Sequence, residues 1–365
     1  MKGKINKYGQ FFTKKELCKV IVENINSYKE LSGKILEPSF GSGNFIDILK
    51  EYNLNIDAVE IDSEHFTSYI SSDINLFNDD FLNFKGSGYD FIIGNPPYVE
   101  LCYSFYDKPT QEKIKKENKG ISNGRINLVH LFFKKSFEII NNDGIIAYLL
   151  PSAVLTSPTY KNIRKIIYEN FIVENIVEDV KFEGVAIKVS LIIIRKSTNK
   201  NNKYFYLDND NYFLMENYEN FSNKSKTLKD YNFDVSIGEI VWNQHKDLLS
   251  DDNKDNILVY SSNIESGNIQ FEKNRGRKQY IKYDKIKYDT CIIFPRTISK
   301  NIKYFYVKEN KNMIFENHVL VLTNKDPLLL NQFYQKLEDK DYKEKMLSFF
   351  NSSNLTKGEL LSLPF

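Results

Sequence analysis

Leu36-Glu37-Pro38-Ser39-Phe40-Gly41-Ser42-Gly43-Asn44-Phe45 is the stretch whose reading decides the fold. Ile35-Leu36 reads as a strand. Gly41 and Gly43 allow a tight turn in which the backbone can lie close to a ligand. Phe45 to Tyr52 reads as a helix, with Phe45, Ile46, Ile48 and Leu49 at a 3.6-residue period. Strand, glycine turn and helix open a doubly wound α/β sheet, whose ligands sit beyond the carboxyl ends of its strands. The rest of the N-terminal half repeats the alternation. A helix is expected over 14–30, with Leu17, Val20, Ile21 and Ile25 on one face. Ile56 to Asp62 reads as a strand ending in carboxylates, and Tyr89 to Gly94 as the continuous apolar strand of a sheet covered on both faces. Asn127 to Ile140 reads as a helix, which Asn141-Asn142-Asp143-Gly144 is expected to stop with a turn. Strand Ile145–Leu150, helix Tyr160–Asn170 and strands Ile172–Val177 and Val189–Arg195 complete the pattern.

Near Ser197 the periodicity breaks into Asn, Lys and Tyr. The expectation is therefore an N-terminal domain over 1–200, a junction over 201–232 and a smaller mixed α+β domain over 233–365, with a strand-like run at Met313–Thr323 and a helix at Leu328–Lys345. A chain of 365 residues is long enough for two cores. No apolar run approaches the roughly 20 residues of a membrane span, and the Lys-rich N-terminus has no signal-peptide core, so a cytoplasmic location is expected. Cys18, Cys102 and Cys291 form no disulfide framework and have no metal-ligand spacing with His65, His130, His245 or His318, so no metal is expected. The formal net charge is +2, but it is uneven: residues 271–310 hold eleven Lys or Arg against four Asp or Glu, interleaved with Phe271, Tyr280, Tyr283, Tyr288, Phe294, Tyr304 and Tyr306. Such a patch suits phosphate and base contacts, with Arg275, Arg277, Lys278 and Arg296 as candidates; a solvated β surface would read the same way.

The glycine turn alone is a weak signal, because the third glycine of G-x-G-x-x-G is missing. Its acidic surroundings sharpen it. Glu37, just before the turn, would repel a pyrophosphate but could face the cationic methionine end of S-adenosylmethionine. Glu60, closing the second strand, is placed to accept the ribose hydroxyls. Asp80 could accept an adenine amino group, with Ile61 and Phe81 packing on the ring. A phosphate-free cationic nucleoside fits this lining better than NAD or ATP.

Asn95-Pro96-Pro97-Tyr98 follows the apolar strand on the same rim. Each proline restricts the residue before it to extended backbone. The motif thus offers two stiffly held acceptors, the Asn95 side-chain oxygen and the Pro96 carbonyl, to the two hydrogens of a planar amino group. Accepting both would free the nitrogen lone pair for attack on a methyl group, and Tyr98 would supply a ring face for an extruded base.

These motifs, in this order, resemble the TaqI-type, gamma-class N6-adenine DNA methyltransferases of restriction–modification systems. Tyr8-Gly9-Gln10-Phe11-Phe12-Thr13 looks like the family's N-terminal motif. Glu37–Phe45, Glu60-Ile61-Asp62, Asp80-Phe81, Asn95–Tyr98, Gly124–Leu128 and Phe182-Glu183-Gly184-Val185 follow. The resemblance covers roughly residues 5–196. It implies a Rossmann-like methyltransferase domain in which Thr13, Glu37, Pro38, Phe40, Gly41, Gly43, Asn44, Phe45, Glu60, Ile61, Asp80 and Phe81 hold S-adenosylmethionine. Asn95, Pro96, Pro97 and Tyr98 would be catalytic, and Tyr98 and Phe182 would stack on the flipped adenine of double-stranded DNA. Lys14 departs from a common proline, and Phe-Gly-Ser-Gly from an alanine-containing loop. The C-terminal part resembles the family's DNA-recognition domain more faintly, through Val241-Trp242-Asn243-Gln244, Asn317-His318 and the stretch from Ser353 to Pro364.

Other amines share this chemistry: cytosine N4, guanine N2 of ribosomal RNA, and a protein glutamine amide. A non-catalytic DNA-binding subunit is a reading of another class. A covalent cysteine mechanism is disfavoured because no cysteine follows a proline. With little sequence before Gly9 to house a nuclease, the expectation is a modification enzyme whose restriction endonuclease is a separate chain.

Overall fold

The structure, a computed structural model, describes residues 12–69, 74–100, 108–117, 126–180, 188–197, 203–208, 211–215, 226–283, 285, 287–298, 301–350 and 354–365. They fall into two compact units, one within 1–205 and 211–216, the other within 206–210 and 217–365. Among them no helix is long and apolar enough to cross a membrane.

The first unit is a doubly wound α/β sheet. Its elements in chain order are α1 (Lys15–Tyr28), β1 (Lys34–Glu37), α2 (Asn44–Leu49), β2 (Asn55–Glu60), α3 (Ser63–Ser68), β3 (Asn75–Asn78), β4 (Tyr89–Gly94), α4 (Lys108–Glu117), α5 (Leu128–Ile139), β5 (Ile140–Pro151), α6 (Ala153–Thr156), α7 (Lys161–Asn170), β6 (Phe171–Val180) and β7 (Val189–Lys196). The strand order is β3-β2-β1-β4-β5-β7-β6. The first five strands run parallel, and β7 is antiparallel to both β5 and β6. Because β1 lies between β2 and β4, the carboxyl ends of all three meet on one rim, which is where open α/β sheets bind ligands.

Both faces of the sheet are covered, as the unbroken apolar run of β4 requires. Phe91 and Ile93 point to one side, with Ile21, Ile25, Phe45 and Leu49 of α1 and α2. Ile92 points to the other, with Phe132 and Phe133 of α5 and Ile163 and Ile167 of α7. In α1 the buried stripe is Cys18, Ile21, Val22 and Ile25, and Val20 is 60% exposed. Val20 and Val22 are both apolar, so periodicity alone placed the face one step off. Asn141–Gly144 also departs from the expected turn. Helix α5 ends at Ile139 and β5 begins at once. The polar residues form an irregularity within the strand, where pairing jumps from Tyr89–Ile140 to Phe91–Ile145. Asp143 there takes a left-handed φ of 62° and pairs with Lys29 at 3.1 Å and Arg195 at 2.8 Å.

The second unit holds two four-stranded sheets. One has the order Asp234–Ile237, Val319–Thr323, Cys291–Pro295, Phe305–Val307; the other has Leu249–Ser250, Tyr280–Ile281, Asn256–Val259, Met313–Phe315. The expected single strand over Met313–Thr323 is thus two strands in different sheets, separated at Glu316-Asn317-His318. The expected helix over Leu328–Lys345 is likewise two, Pro327–Glu338 and Lys340–Phe349. Asp339 divides them by taking an extended backbone and accepting the Tyr342 N–H at 2.8 Å, an N-cap that starts a new helix.

Candidate active site

Three strand ends and one incoming segment build the site. After β1 the chain turns at Phe40–Gly43, where the Gly43 N–H donates to the Phe40 carbonyl at 2.8 Å, and α2 starts at Asn44. Gly43 has a φ of 80°, and a Cβ there would stand 2.3 Å from the Tyr69 ring, so both conformation and space demand glycine. Glu60 closes β2 and holds this loop: one carboxylate oxygen accepts the Gly41 N–H at 2.8 Å, the other the Asp62 N–H at 2.9 Å. The sequence reading gave Glu60 only a ligand to bind; the structure adds this work on the backbone.

Glu37 is the electrostatic centre. It is 2% exposed, and among the described residues no hydrogen-bond donor meets its Oε2. Burial, and then the neighbouring Glu60 and Asp47 carboxylates, push its carboxyl well above the usual range. A buried, under-partnered carboxylate is costly unless a cation comes to it.

From the next strand comes Asn95. A Cβ on Gly94 would lie 3.2 Å from Pro38 Cδ, so glycine is what lets the Asn95 turn close against the end of β1. Asn95 Nδ2 donates to the Thr13 hydroxyl at 3.3 Å, and the Asn95 carbonyl accepts from the Ser39 hydroxyl at 3.3 Å. Thr13 is buried, and its carbonyl accepts from Asn44 Nδ2 at 2.7 Å. One pocket is therefore lined together by Phe12, Thr13, Glu37, Ser39, Phe40, Gly41, Asn44, Phe45 and Asn95. Phe12 and Ser39 lie within the quoted motifs, but the sequence reading gave neither a role of its own. Pro96 is buried and Pro97 and Tyr98 are half-buried. The Tyr98 hydroxyl donates to the Leu149 carbonyl of β5 at 3.0 Å, and burial raises its phenol well above the ordinary value.

The remaining candidates separate. Ile61 is 43% exposed on the rim. Asp80 is half-buried and accepts the Leu82 N–H at 2.9 Å. Phe81 differs from expectation: its ring is 2% exposed and packs in the core on Phe132, with centroids 4.8 Å apart. Phe182, with Tyr8–Phe11 and Gly124-Arg125, lies outside the described residues. In the second unit, Arg275 is exposed at a left-handed φ of 58°. Arg277 lies between the Trp242 and Tyr260 rings, 4.9 Å from each centroid. Lys278 pairs with Asp251 at 2.8 Å, and the Arg296 N–H donates to the His318 carbonyl at 2.8 Å.

The mostly parallel, doubly wound sheet is that of a Rossmann-like methyltransferase fold, and its rim carries the glycine loop, the two buried carboxylates and the Asn-Pro-Pro-Tyr turn. Residues 30–185 match the family model of the Eco57I restriction-modification methylase. The chain is 27% identical to the modification methylase CviBIII of Paramecium bursaria Chlorella virus NC1A, across 100% of this chain and 95% of that one. It is 25% identical to the type II methyltransferase M.CvrRI of Paramecium bursaria Chlorella virus XZ-6E, across 98% and 93%. It is 30% identical to the type II methyltransferase M.AccI of Acinetobacter calcoaceticus, across 65% of this chain and 46% of that one. The matched model and these relatives are restriction–modification methylases, and the cofactor is S-adenosylmethionine.

The raised Glu37 carboxyl gives a stability prediction. The folded protein holds that proton more tightly than the unfolded chain, so the contribution of the neutral group is complete at low pH and is lost as pH rises toward the raised value. Glu37→Gln should therefore melt higher than the parent at neutral pH without ligand, by roughly 2–4 °C for each kcal/mol relieved. The gap should shrink as pH falls. Calorimetric scans across pH check this, and equal melting temperatures throughout would refute it.

Proposed function

We propose that this chain transfers a methyl group from S-adenosylmethionine to N6 of an adenine flipped out of double-stranded DNA, as the modification part of a restriction–modification system. The observation that carries the reading is the Asn95 carboxamide, held by its nitrogen on Thr13 in the lining of the Glu37 pocket. That bond fixes the amide so that its oxygen is the opposite end of the group.

The bound cofactor supplies an electrophilic methyl on a sulfonium centre. Glu37 would take its ammonium end, which suits a buried carboxyl whose Oε2 meets no donor among the described residues. Glu60 would take the ribose and Asp80 the adenine amino group, with exposed Ile61 against the ring; Phe81, turned into the core, supports this wall from behind. Thr13, Pro38, Phe40, Gly41, Gly43, Asn44 and Phe45 would complete the cradle. At the target, Asn95 Oδ1 and the Pro96 carbonyl would accept the two amino hydrogens and so free the nitrogen lone pair for the methyl; the donor sulfur would depart as a neutral thioether and one amino proton would pass to solvent. Pro97 stiffens the turn. Tyr98, tethered to Leu149, offers its ring to the base, and Phe182 would cover the other face. Two pre-set acceptors need no reorganisation during transfer, and losing one such group costs about 10²–10³ in rate in comparable sites.

The second unit would be the DNA-recognition domain, joined through 201–232, with Arg275, Arg277, Lys278 and Arg296 on its basic stretch. The length matched to CviBIII and M.CvrRI supports reading the chain as a modification methylase.

Mass spectrometry of nucleosides from unmodified plasmid tests the reaction. N6-methyladenine should accumulate with the parent and fall at least about a hundredfold with Asn95→Ala. N4-methylcytosine would overturn the base, and label found only in protein or RNA would overturn the substrate. Cofactor binding should also release a proton from Glu37, because a cation beside the carboxyl favours its charged form. Titration calorimetry in two buffers of different ionisation enthalpy should then give different apparent heats, and in Glu37→Gln the difference should vanish along with most of the affinity.

A further inference from the structure

In the second unit, four segments distant in sequence meet around Glu316. The Glu316 N–H donates to the Val259 carbonyl at 3.1 Å, beside Tyr260, and the Asn317 N–H donates to the Ile240 carbonyl at 2.9 Å, two residues before Trp242. On the other side the Arg296 N–H donates to the His318 carbonyl at 2.8 Å. Tyr260 and Trp242 hold the Arg277 guanidinium between their rings. These contacts set the Trp242–Arg277 pair, backed by the buried Tyr260, and the backbone at Arg296 beside Glu316 and His318.

Glu316 and His318 stand in an unusual relation. The Glu316 side chain is 1% exposed and the His318 side chain 57%. One Glu316 oxygen accepts from the His318 backbone N–H at 3.2 Å, and the other bonds the ring at Nδ1. A carboxylate only accepts, so Nδ1 carries the proton and Nε2 is the far end of the ring. Burying a carboxylate is expensive. Here it fixes the direction of a side chain that is otherwise largely in solvent. Contact with a phosphate needs charge but little orientation, whereas reading a base edge needs a donor or acceptor at a set angle. Arg277, clasped by two rings, is correspondingly rigid, and the exposed Arg275 is better suited to phosphate.

We propose that His318, aimed by the buried Glu316, reads one base edge of the duplex, with His318 as the contact and Glu316 as its positioning residue. The proposal rests on the DNA reading of the preceding subsection, and the test separates the two. A randomised duplex library is treated with S-adenosylmethionine and the full chain, and the methylated sites are sequenced. Parent protein should mark a defined sequence. His318→Ala should lose discrimination at one position of it, by about tenfold or more, while still binding S-adenosylmethionine. Glu316→Gln, which keeps the volume of the side chain, should relax the same position, a result that a merely structural role would not give. Loss of methylation spread evenly over all sequences, with a weaker dependence on salt, would make His318 a phosphate contact and overturn the proposal. Unchanged discrimination in His318→Ala would also overturn it and leave the DNA reading standing. No methylated DNA from the parent would overturn both. Should His318→Ala unfold, His318→Gln takes its place with the same expectations.

Discussion

Glu37 sets the terms for the rest of the first unit. A carboxyl 2% exposed, with two further carboxylates beside it and an oxygen that no donor among the described residues meets, opposes folding. The surrounding sheet tolerates it because both faces of β1 and β4 are buried by apolar side chains whose association is worth far more than one such site costs. That surplus lets the rim be shaped for a ligand. Glycines at 43 and 94 continue the same logic: each gives up side-chain packing so that backbone can come close, in one case under Tyr69, in the other against Pro38.

Strand order brings this carboxyl and the Asn95 turn together. Ser39 and Asn95 are 56 residues apart in the chain, yet β1 and β4 are neighbours, so both turns leave the sheet at the same edge. A slip by one residue in β4 would turn Asn95 to the other face of the sheet, and the alternating burial of Phe91, Ile92 and Ile93 between two cores resists such a slip. Precision at the site is therefore inherited from packing some distance below it.

This division also explains what could be read from sequence. The strand, glycine turn and helix at 35–45 and the Asn-Pro-Pro-Tyr turn were legible because local rules govern them: periodicity, the conformational range of glycine and the stiffness of proline. Contacts that complete the pocket were not, since Thr13 meets Asn95 across 82 residues and Asn44 across 31. Phe81 was ambiguous because an aromatic beside an acidic residue reads equally as a ligand wall and as core, and its ring packs on Phe132. In the second unit, Met313–Thr323 reads as one apolar run, and only the meeting of Glu316 with Val259 and of Asn317 with Ile240 shows why the chain leaves one sheet there for another. The break at Asp339 was hidden among charged residues that suit a helix surface as well as a cap.

Thr13 brings the halves of the site into one mechanical unit. Its carbonyl holds Asn44, at the start of the helix behind the glycine loop, and its hydroxyl holds Asn95. It is buried, and Cys18 at the start of α1 reaches the same carbonyl at 3.8 Å. A displacement of the glycine loop on filling the pocket would therefore pass to the Asn95 amide through a single residue, by one bond of 2.7 Å and one of 3.3 Å. The segment before α1 belongs to the site for that reason, although it contributes no strand to the sheet. On the proposed reading the methyl donor and the target amine would share one anchor, so that geometry set by the first would already be in place for the second.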